Sequence, residues 1–167
     1  MTEVGIGIVG YGLMGRAHAH GYTVAPHVRE LGVTPRLRVM SGRDEASVAA
    51  AAARYGVAEW TVDWREVVAR SDVDIVDVCT PPGAHVEVVE AAAAAGKAVL
   101  CEKPLAVTPA QAHELCATAA EFGLVNAVCF INRFYPLCQD AASRVGSGSV
   151  GPVRLIHGHY LQDWLAK

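Results

Sequence analysis

Short apolar runs alternate along the chain with longer, alanine-rich stretches of helical periodicity. Short runs rich in Val and Ile are typical of strands that are buried on both faces of a sheet. The predicted strands span residues 4–9, 37–41, 59–61, 73–79, 98–101 and 124–130, and a helix is expected in each interval between them. This alternation predicts an α/β fold with a parallel, doubly wound sheet and helices on both of its faces.

Several predicted helices carry recognisable end signals. Asp44 can cap a helix that stops at Gly56, and Asp63 and Glu66 have the spacing of a capping box. Thr108-Pro109 combines an N-cap residue with a proline at the first helical position. These signals place the helix starts on the side of the sheet where each strand ends.

The last part of the chain has a different pattern. A helix over residues 136–145 is followed by a flexible stretch rich in glycine and serine, 146–152, and then by a run predicted as a strand over residues 153–161. We therefore predict one α/β domain over residues 1–150. Residues 151–167 are predicted to be the first strand of a second domain.

Composition excludes several function classes. The chain is 52% hydrophobic and 19% charged with a net charge of −3, so it lacks the basic face that nucleic-acid binding requires. No signal peptide and no apolar run long enough to span a membrane is predicted, and a cytoplasmic location is expected. The five cysteines are odd in number and have no zinc-ligand spacing, which predicts reduced thiols and no metal site.

A glycine-rich turn follows the first predicted strand and opens a helix. It reads Gly10-Tyr11-Gly12-Leu13-Met14-Gly15, the pattern G-x-G-x-x-G. In a Rossmann-type domain the three glycines allow a tight turn, backbone approach to a pyrophosphate, and close helix–strand packing. The segment predicts a dinucleotide site, and the alternative is a purely structural turn.

The end of the second strand bears on the choice between NAD and NADP. NAD-binding domains usually place an acidic residue here for the ribose hydroxyls, whereas this chain has Ser41, Gly42 and Arg43. A guanidinium can pair with a 2′-phosphate through two hydrogen bonds, which favours NADP over NAD. The alternative is that Arg43 is a surface residue and Asp44 binds the ribose.

Two further loops follow the fourth and fifth predicted strands, at the edge where ligands bind in such folds. They read Thr80-Pro81-Pro82-Gly83-Ala84-His85 and Glu102-Lys103-Pro104. A lysine at a strand end, beside a glutamate and held by a proline, can be positioned for proton transfer at a reacting carbon. Lys103 is therefore a candidate catalytic residue, and the alternative is a solvated surface lysine beside Glu102.

With Asn132-Arg133-Phe134-Tyr135-Pro136, these motifs occur in an order that resembles the Gfo/Idh/MocA oxidoreductase family along essentially the whole chain. The resemblance implies that Lys103 contacts the nicotinamide ribose and the substrate. It also implies that other residues bind the cofactor: Thr80, Pro81, Pro82 and His85 as its wall, Glu102 in the same groove, and Asn132, Arg133, Gln162 and Trp164 near the nicotinamide.

The resemblance further implies a dehydrogenase that uses NADP or NAD and acts on a sugar, inositol or other polyol, as a homo-oligomer. Family enzymes have a second domain that supplies a histidine base and most of the substrate pocket, and no histidine here maps to that base. His18 and His20 are expected to be packing or surface residues. Two alternatives stay open: a non-catalytic NAD(P)-binding module or truncated product, and an NAD-dependent glycosidase of the same family.

Overall fold

A computed structural model describes residues 2–161, and the chain divides into two compact units, one that ends at Cys129 and one that begins at Phe130. The strands are β1 Thr2–Val9, β2 Val33–Ser41, β3 Glu59–Thr61, β4 Ile75–Val78, β5 Ala98–Cys101 and β6 Asn126–Val128. The helices are α1 Leu13–Val28, α2 Glu45–Tyr55, α3 Trp64–Ala69, α4 His85–Ala94, α5 Pro109–Glu121 and α6 Pro136–Gly146. None of the helices in the described range is long and apolar enough to cross a bilayer.

All six strands form one parallel sheet in the order β3-β2-β1-β4-β5-β6. Strands β2 and β3 lie on one side of β1, and strands β4, β5 and β6 lie on the other side, so the strand order reverses between β1 and β4. This reversal opens a crevice between the loops that follow β1 and β4, where α/β proteins of this topology bind ligands. The prediction of a Rossmann-type, doubly wound sheet is confirmed.

The sheet buries apolar side chains on both faces. One cluster joins the sheet to α3, α4 and α5 through Val67, Val88 and Leu115. The other joins it to α1 and α2 through Ala19 and Val48. Burial on both faces explains why the strands are apolar runs with little alternation of polar residues.

The helix-end signals are confirmed in α2 and α5 and partly wrong in α3. Asp44 Oδ1 accepts a hydrogen bond from Ser47 N at 2.8 Å, and Thr108 forms a reciprocal capping box with Gln111. Asp63 caps α3, but the Glu66 carboxylate accepts a hydrogen bond from the Thr61 hydroxyl instead of closing the box. A competing donor from β3 therefore takes the Glu66 side chain.

The predicted strand over residues 153–161 is wrong for the described part of the chain, which is irregular there. A strand exists only through backbone hydrogen bonds with a neighbouring strand, and none of the six strands β1 to β6 pairs with residues 153–161. The second unit contains a short 3-10 turn, Ile131–Phe134, and α6. The boundary between the units follows Cys129, and the assignment of residues 151–167 to a second domain stays a prediction.

The packing of α1 on β1 generates a stability prediction. A Cβ added to Gly15 would lie 1.8 Å from the Gly10 carbonyl oxygen, so the helix would have to move away from the turn. We expect Gly15→Ala to lower the free energy of unfolding by about 1–3 kcal/mol, as overpacking does. Urea unfolding followed by circular dichroism measures the change.

Gly21→Ala is the matched control, because Gly21 lies in the same helix and a Cβ there meets nothing within 4 Å. It should stabilise the protein by about 0.5–1 kcal/mol, since alanine is the better helix former. Equal effects of the two substitutions would show that the close approach at Gly15 carries no energetic weight.

Candidate functional site

A groove of about 450 Å³ lies at the carboxyl ends of the central strands. It is lined by the ends of β1, β2 and β4, by residues that follow these strands, and by two residues that follow β3. The residues from β1, β2, β4 and their loops are Val9, Gly10, Tyr11, Ser41, Gly42, Arg43, Cys79, Thr80, Pro81, Gly83 and Ala84, and those after β3 are Val62 and Trp64. The two sides of the groove belong to the two loops at the point where the strand order reverses. It is therefore located in the crevice that the fold predicts for a dinucleotide.

The three glycines of the turn have different environments. Gly10 has a φ of 111°, and a Cβ there would meet the Cys79 carbonyl oxygen at 2.7 Å. At Gly15, the Gly10 carbonyl oxygen leaves no space for a Cβ. At Gly12, in contrast, a Cβ would meet no protein atom within 4 Å. The first and third glycines are thus required by the fold, whereas the space beside Gly12 is open.

The N-terminus of α1 points into this open space without a side-chain cap. Gly12 is the N-cap residue, and no side-chain hydrogen bond satisfies the first-turn amides. Leu13 is exposed and Met14 is half-buried. Uncapped amides at the positive end of a helix dipole form a binding site for anionic groups such as a pyrophosphate.

The end of β2 is shaped by an aromatic contact. The Gly42 backbone lies against the Tyr11 ring, and a Cβ at Gly42 would lie 1.9 Å from a ring carbon. Ser41 is buried, whereas Arg43 is exposed and lines the groove. The Asp44 carboxylate caps α2, and its hydrogen bond from Ser47 lowers the pKa of Asp44. Arg43 is thus the ionic side chain that the end of β2 offers to the groove.

The loop after β4 contributes Thr80 and Pro81 to the groove. Thr80 Oγ1 is buried and has no hydrogen-bond partner among the described residues. Pro82, at the start of a 3-10 turn, is half-buried and lies outside the lining set. The unpaired hydroxyl fits a site that is completed by a ligand, because buried polar groups normally have partners.

His85 differs from the expectation that it walls the cofactor, since its side chain is fully buried. Its Nε2 lies 2.8 Å from the Thr80 carbonyl oxygen, and its Nδ1 lies 3.1 Å from that of Pro104. Whichever nitrogen carries the proton, the ring lies between the loop after β4 and the loop after β5. The buried His85 ring therefore contacts both loops from the protein interior and does not line the groove.

Lys103 and Glu102 follow β5 and have opposite environments. Lys103 is exposed. Glu102 is buried, and its Oε2 accepts a hydrogen bond from the Lys103 backbone N–H at 3.0 Å. Burial removes Glu102 from the groove that it was expected to line. Its side chain instead contacts the peptide that carries Lys103.

A buried ionic cluster beside Lys103 was missed in the sequence, where His18 was taken as a packing or surface residue. His18 Nδ1 lies 2.9 Å from Asp77 Oδ2, and His18 Nε2 lies 3.2 Å from Glu102 Oε1. The Asp77 hydrogen bond is the main cause of a raised pKa for His18, and burial opposes it. An aspartate inside the apolar β4 run was the sequence signal that a buried partner existed.

Two cysteines adjoin this cluster. Cys79 Sγ lies 3.3 Å from His18 Nδ1, and Cys129 Sγ lies 3.9 Å from His18 Nε2. Burial, followed by the charge of Asp77, raises the pKa of both thiols, to about 12 for Cys129. Both therefore stay protonated at neutral pH. Each can donate a weak hydrogen bond, and neither is an activated nucleophile.

Histidine, carboxylate and thiol groups in such proximity resemble a metal-ligand set. The His18–Asp77 pair, however, is in direct hydrogen-bond contact at 2.9 Å. Two ligands of one tetrahedral zinc ion stay about 3.3–3.7 Å apart, as metal–ligand bonds of about 2.0–2.3 Å require. The geometry is that of a hydrogen-bond network.

Four predicted site residues remain: Asn132, Arg133, Gln162 and Trp164. Asn132 and Arg133 belong to the second unit, within its 3-10 turn, and both are exposed. Gln162 and Trp164 lie outside the described residues. The sequence interpretation also missed Val62 and Trp64, whose position at the groove depends on the parallel pairing of β3 with β2.

Comparison with known proteins agrees with this geometry. The family model of the Gfo/Idh/MocA oxidoreductases, described as an oxidoreductase family with an NAD-binding Rossmann fold, matches residues 4–130. Levoglucosan dehydrogenase of Pseudarthrobacter phenanthrenivorans is 34% identical over 167 residues, which are 99% of this chain and 43% of that protein.

Two solved structures are similar over nearly the whole chain. An oxidoreductase domain protein from Kribbella flavida is 44% identical with a TM-score of 0.95, over 100% of this chain and 45% of its own. Levoglucosan dehydrogenase in complex with NADH and levoglucosan is 32% identical with a TM-score of 0.87, and the match covers 90% of this chain and 41% of that chain. The chain thus spans less than half the length of these relatives, and it matches their cofactor-binding part. It belongs to the Gfo/Idh/MocA oxidoreductase family, and its residues 4–130 match the family's NAD-binding Rossmann fold.

Proposed function

We propose that this chain binds a nicotinamide dinucleotide in the groove between the loops after β1 and β4. The observation that carries the proposal is the open space beside Gly12, in front of the uncapped N-terminus of α1. The pyrophosphate would lie there, against backbone amides. Tyr11 and Thr80 would contact the cofactor from the two sides of the groove.

We propose further that the chain prefers NADP to NAD. The Tyr11 ring occupies the space that an acidic side chain at position 42 would need. Asp44, the alternative ribose ligand, is already engaged as the cap of α2. Arg43 is left as the ionic group at the adenine-ribose end, where a guanidinium can pair with a 2′-phosphate. The NADH in the similar levoglucosan dehydrogenase structure is a property of that enzyme.

Lys103 is proposed as the catalytic residue of a dehydrogenase acting on a sugar, inositol or other polyol. Relatives of the chain include a levoglucosan dehydrogenase and inositol dehydrogenases. The bound nicotinamide supplies the hydride acceptor, and the protein supplies position and proton transfer. An exposed ammonium at the end of β5 can bind the substrate hydroxyl and stabilise the charge on its oxygen.

The division of labour within the relatives leads to a further proposal. The chain covers the cofactor-binding part of proteins more than twice its length. We propose that the general base and most of the substrate pocket come from residues other than these 167, in the same polypeptide or a partner subunit. Asn132, Arg133, Gln162 and Trp164 are proposed to act near the nicotinamide in that assembly.

Gly12→Val tests the cofactor site directly. Gly12 has φ −61° and ψ −166°, which is extended backbone, and an added Cβ meets no protein atom within 4 Å. The variant should therefore fold normally and lose measurable NADPH binding, because valine fills the pyrophosphate space. Energy transfer from tryptophan to NADPH measures the affinity, and circular dichroism measures the fold. Gly21→Ala should bind like the wild type, and normal binding by Gly12→Val would disprove this site.

Arg43→Ala tests the choice of cofactor. Loss of a charge-assisted bidentate contact should weaken NADPH binding by about 10- to 150-fold and leave NADH nearly unchanged, since NADH lacks the 2′-phosphate. Arg54→Ala, at the far end of α2, is the control. Equal losses for both cofactors would mean that Arg43 stacks on the adenine. A wild-type preference for NADH would refute the NADP proposal.

The division of labour predicts cofactor binding without turnover. With a panel of sugars and inositols, this chain should reduce NADP⁺ or NAD⁺ at no more than about 10⁻² to 10⁻⁴ of the rate of a two-domain family member, because a missing general base alone costs that much. Comparable rates would show that the 167 residues suffice. A glycosidase would release product with no net NADPH formation, and a binding module would show neither activity.

A further inference from the structure

Three ionisable side chains from three different elements meet behind the groove. His18 lies on α1, Asp77 on β4, and Glu102 directly after β5. The His18 ring lies between the two carboxylates, with Nδ1 at 2.9–3.0 Å from both Asp77 oxygens and Nε2 at 3.2 Å from Glu102 Oε1. Asp77 is fully buried, Glu102 is 4% exposed, and the His18 side chain is 12% exposed.

This arrangement assigns a protonation state to His18. A neutral imidazole donates from one nitrogen and accepts at the other, whereas an imidazolium donates from both. Both His18 nitrogens face carboxyl oxygens, so with Asp77 and Glu102 both ionised the two hydrogen bonds exist together only when the ring is an imidazolium. Two buried carboxylates without a cation would also be costly, because burial of unpaired charge is strongly unfavourable. The raised pKa of His18 agrees with this geometry.

Glu102 connects the cluster to the candidate catalytic residue. Its Oε1 faces His18, and its Oε2 accepts the backbone N–H of Lys103 at 3.0 Å. Glu102 therefore has one oxygen for each of the two neighbours. A hydrogen-bonded path runs from Asp77 on the central strand, through the His18 ring and the Glu102 carboxylate, to the Lys103 peptide.

We propose that His18 is a positioning residue, whose imidazolium fixes the Glu102 carboxylate and through it the peptide that carries Lys103. The proposal deepens the proposed function and rests on it where cofactor binding is concerned. The structural part, the coupling of His18 to the Lys103 amide, stands on the geometry of the cluster alone.

The pH range in which His18 bridges Asp77 and Glu102 depends on every titratable group that faces its ring. These groups are the carboxylates of Asp77 and Glu102 and the thiols of Cys79 and Cys129, and the Tyr22 hydroxyl adds a neutral partner to Asp77. The raised pKa values of the two thiols and of the Tyr22 hydroxyl keep these three groups neutral near pH 7. The folded-state pKa of His18 is raised, so the bridge is fully present below the ordinary histidine pKa and is lost as the pH rises through the raised value.

When the His18 imidazolium loses one proton, one of its two nitrogens can no longer donate a hydrogen bond. If the remaining proton stays on Nδ1 for Asp77, the Nε2 lone pair faces the Glu102 carboxylate, and that contact becomes repulsive. Glu102 then loses its anchor on the His18 side. The Lys103 amide, which donates to the same carboxylate, should report this change through its chemical shift.

The test is a pH titration of the 167-residue chain by NMR, from pH 5 to pH 9. The His18 ring nitrogens and the Lys103 amide are followed in the wild type, in His18→Gln and in His20→Gln. His20 is exposed and lies two residues along the same helix, which makes it the matched control. We expect the Lys103 amide to titrate with the His18 ring in the wild type and in His20→Gln, and to lose this transition in His18→Gln.

NADPH affinity is measured over the same pH range. It should fall in the wild type as His18 loses its proton, and His18→Gln should bind up to about tenfold more weakly at pH 6 with a flat pH profile, as expected when one charge-assisted hydrogen bond is lost. The wild-type ring titration needs no variant, so the proposal is testable even if His18→Gln fails to fold.

Two results would overturn the inference: a His18 ring that stays neutral at pH 5, or a Lys103 amide that titrates in His18→Gln as it does in the wild type. A different pattern identifies failure of the proposed function. In that case the NMR coupling between His18 and Lys103 is present, but the wild-type chain does not bind NADPH or NADH at any pH.

Discussion

The close approach of α1 to the end of β1 is the constraint on which the site depends. Gly15 lies so near the Gly10 carbonyl that no side chain fits between them. This contact brings the N-terminus of the helix to the carboxyl edge of the sheet, where its uncapped amides face the groove. A bulkier residue at position 15 would move the helix end away from the turn, and one at position 10 would collide with the Cys79 carbonyl group at the end of β4.

The parallel sheet then determines which residues can be neighbours. Every strand runs in the same direction, so the loops after β1, β2, β4 and β5 emerge at one edge. Gly10, Arg43, Thr80 and Lys103 are thereby collected at that edge although they are far apart in the sequence. His85 reinforces the arrangement, because its buried ring contacts the carbonyl groups of both later loops.

The sequence was most informative where structure depends on local contacts. The caps of α2 by Asp44 and of α5 by Thr108 each involve residues three positions apart, and both N-cap residues were predicted from residue types alone. Glu66 was predicted wrongly because a hydroxyl on β3 competes for its carboxylate. The pattern of residues 153–161 specifies a preference for extended structure, but a strand also needs a partner that the pattern does not name.

Long-range contacts explain what the sequence could not predict about the site. His18 and Asp77 are 59 positions apart, and His18 and Glu102 are 84 positions apart, so no local spacing reveals that they meet. Their meeting follows from the same packing of α1 against the sheet that brings the helix N-terminus to the groove. The helix thus performs two electrostatic roles one turn apart: its first amides face the space for an anionic ligand, and its histidine compensates two buried carboxylates. Because both belong to one helix, the helix N-terminus at the groove and the hydrogen-bonded path to the Lys103 peptide are held in a fixed relation to each other. This is the geometric condition that the proposed cofactor site and the proposed catalytic role of Lys103 require.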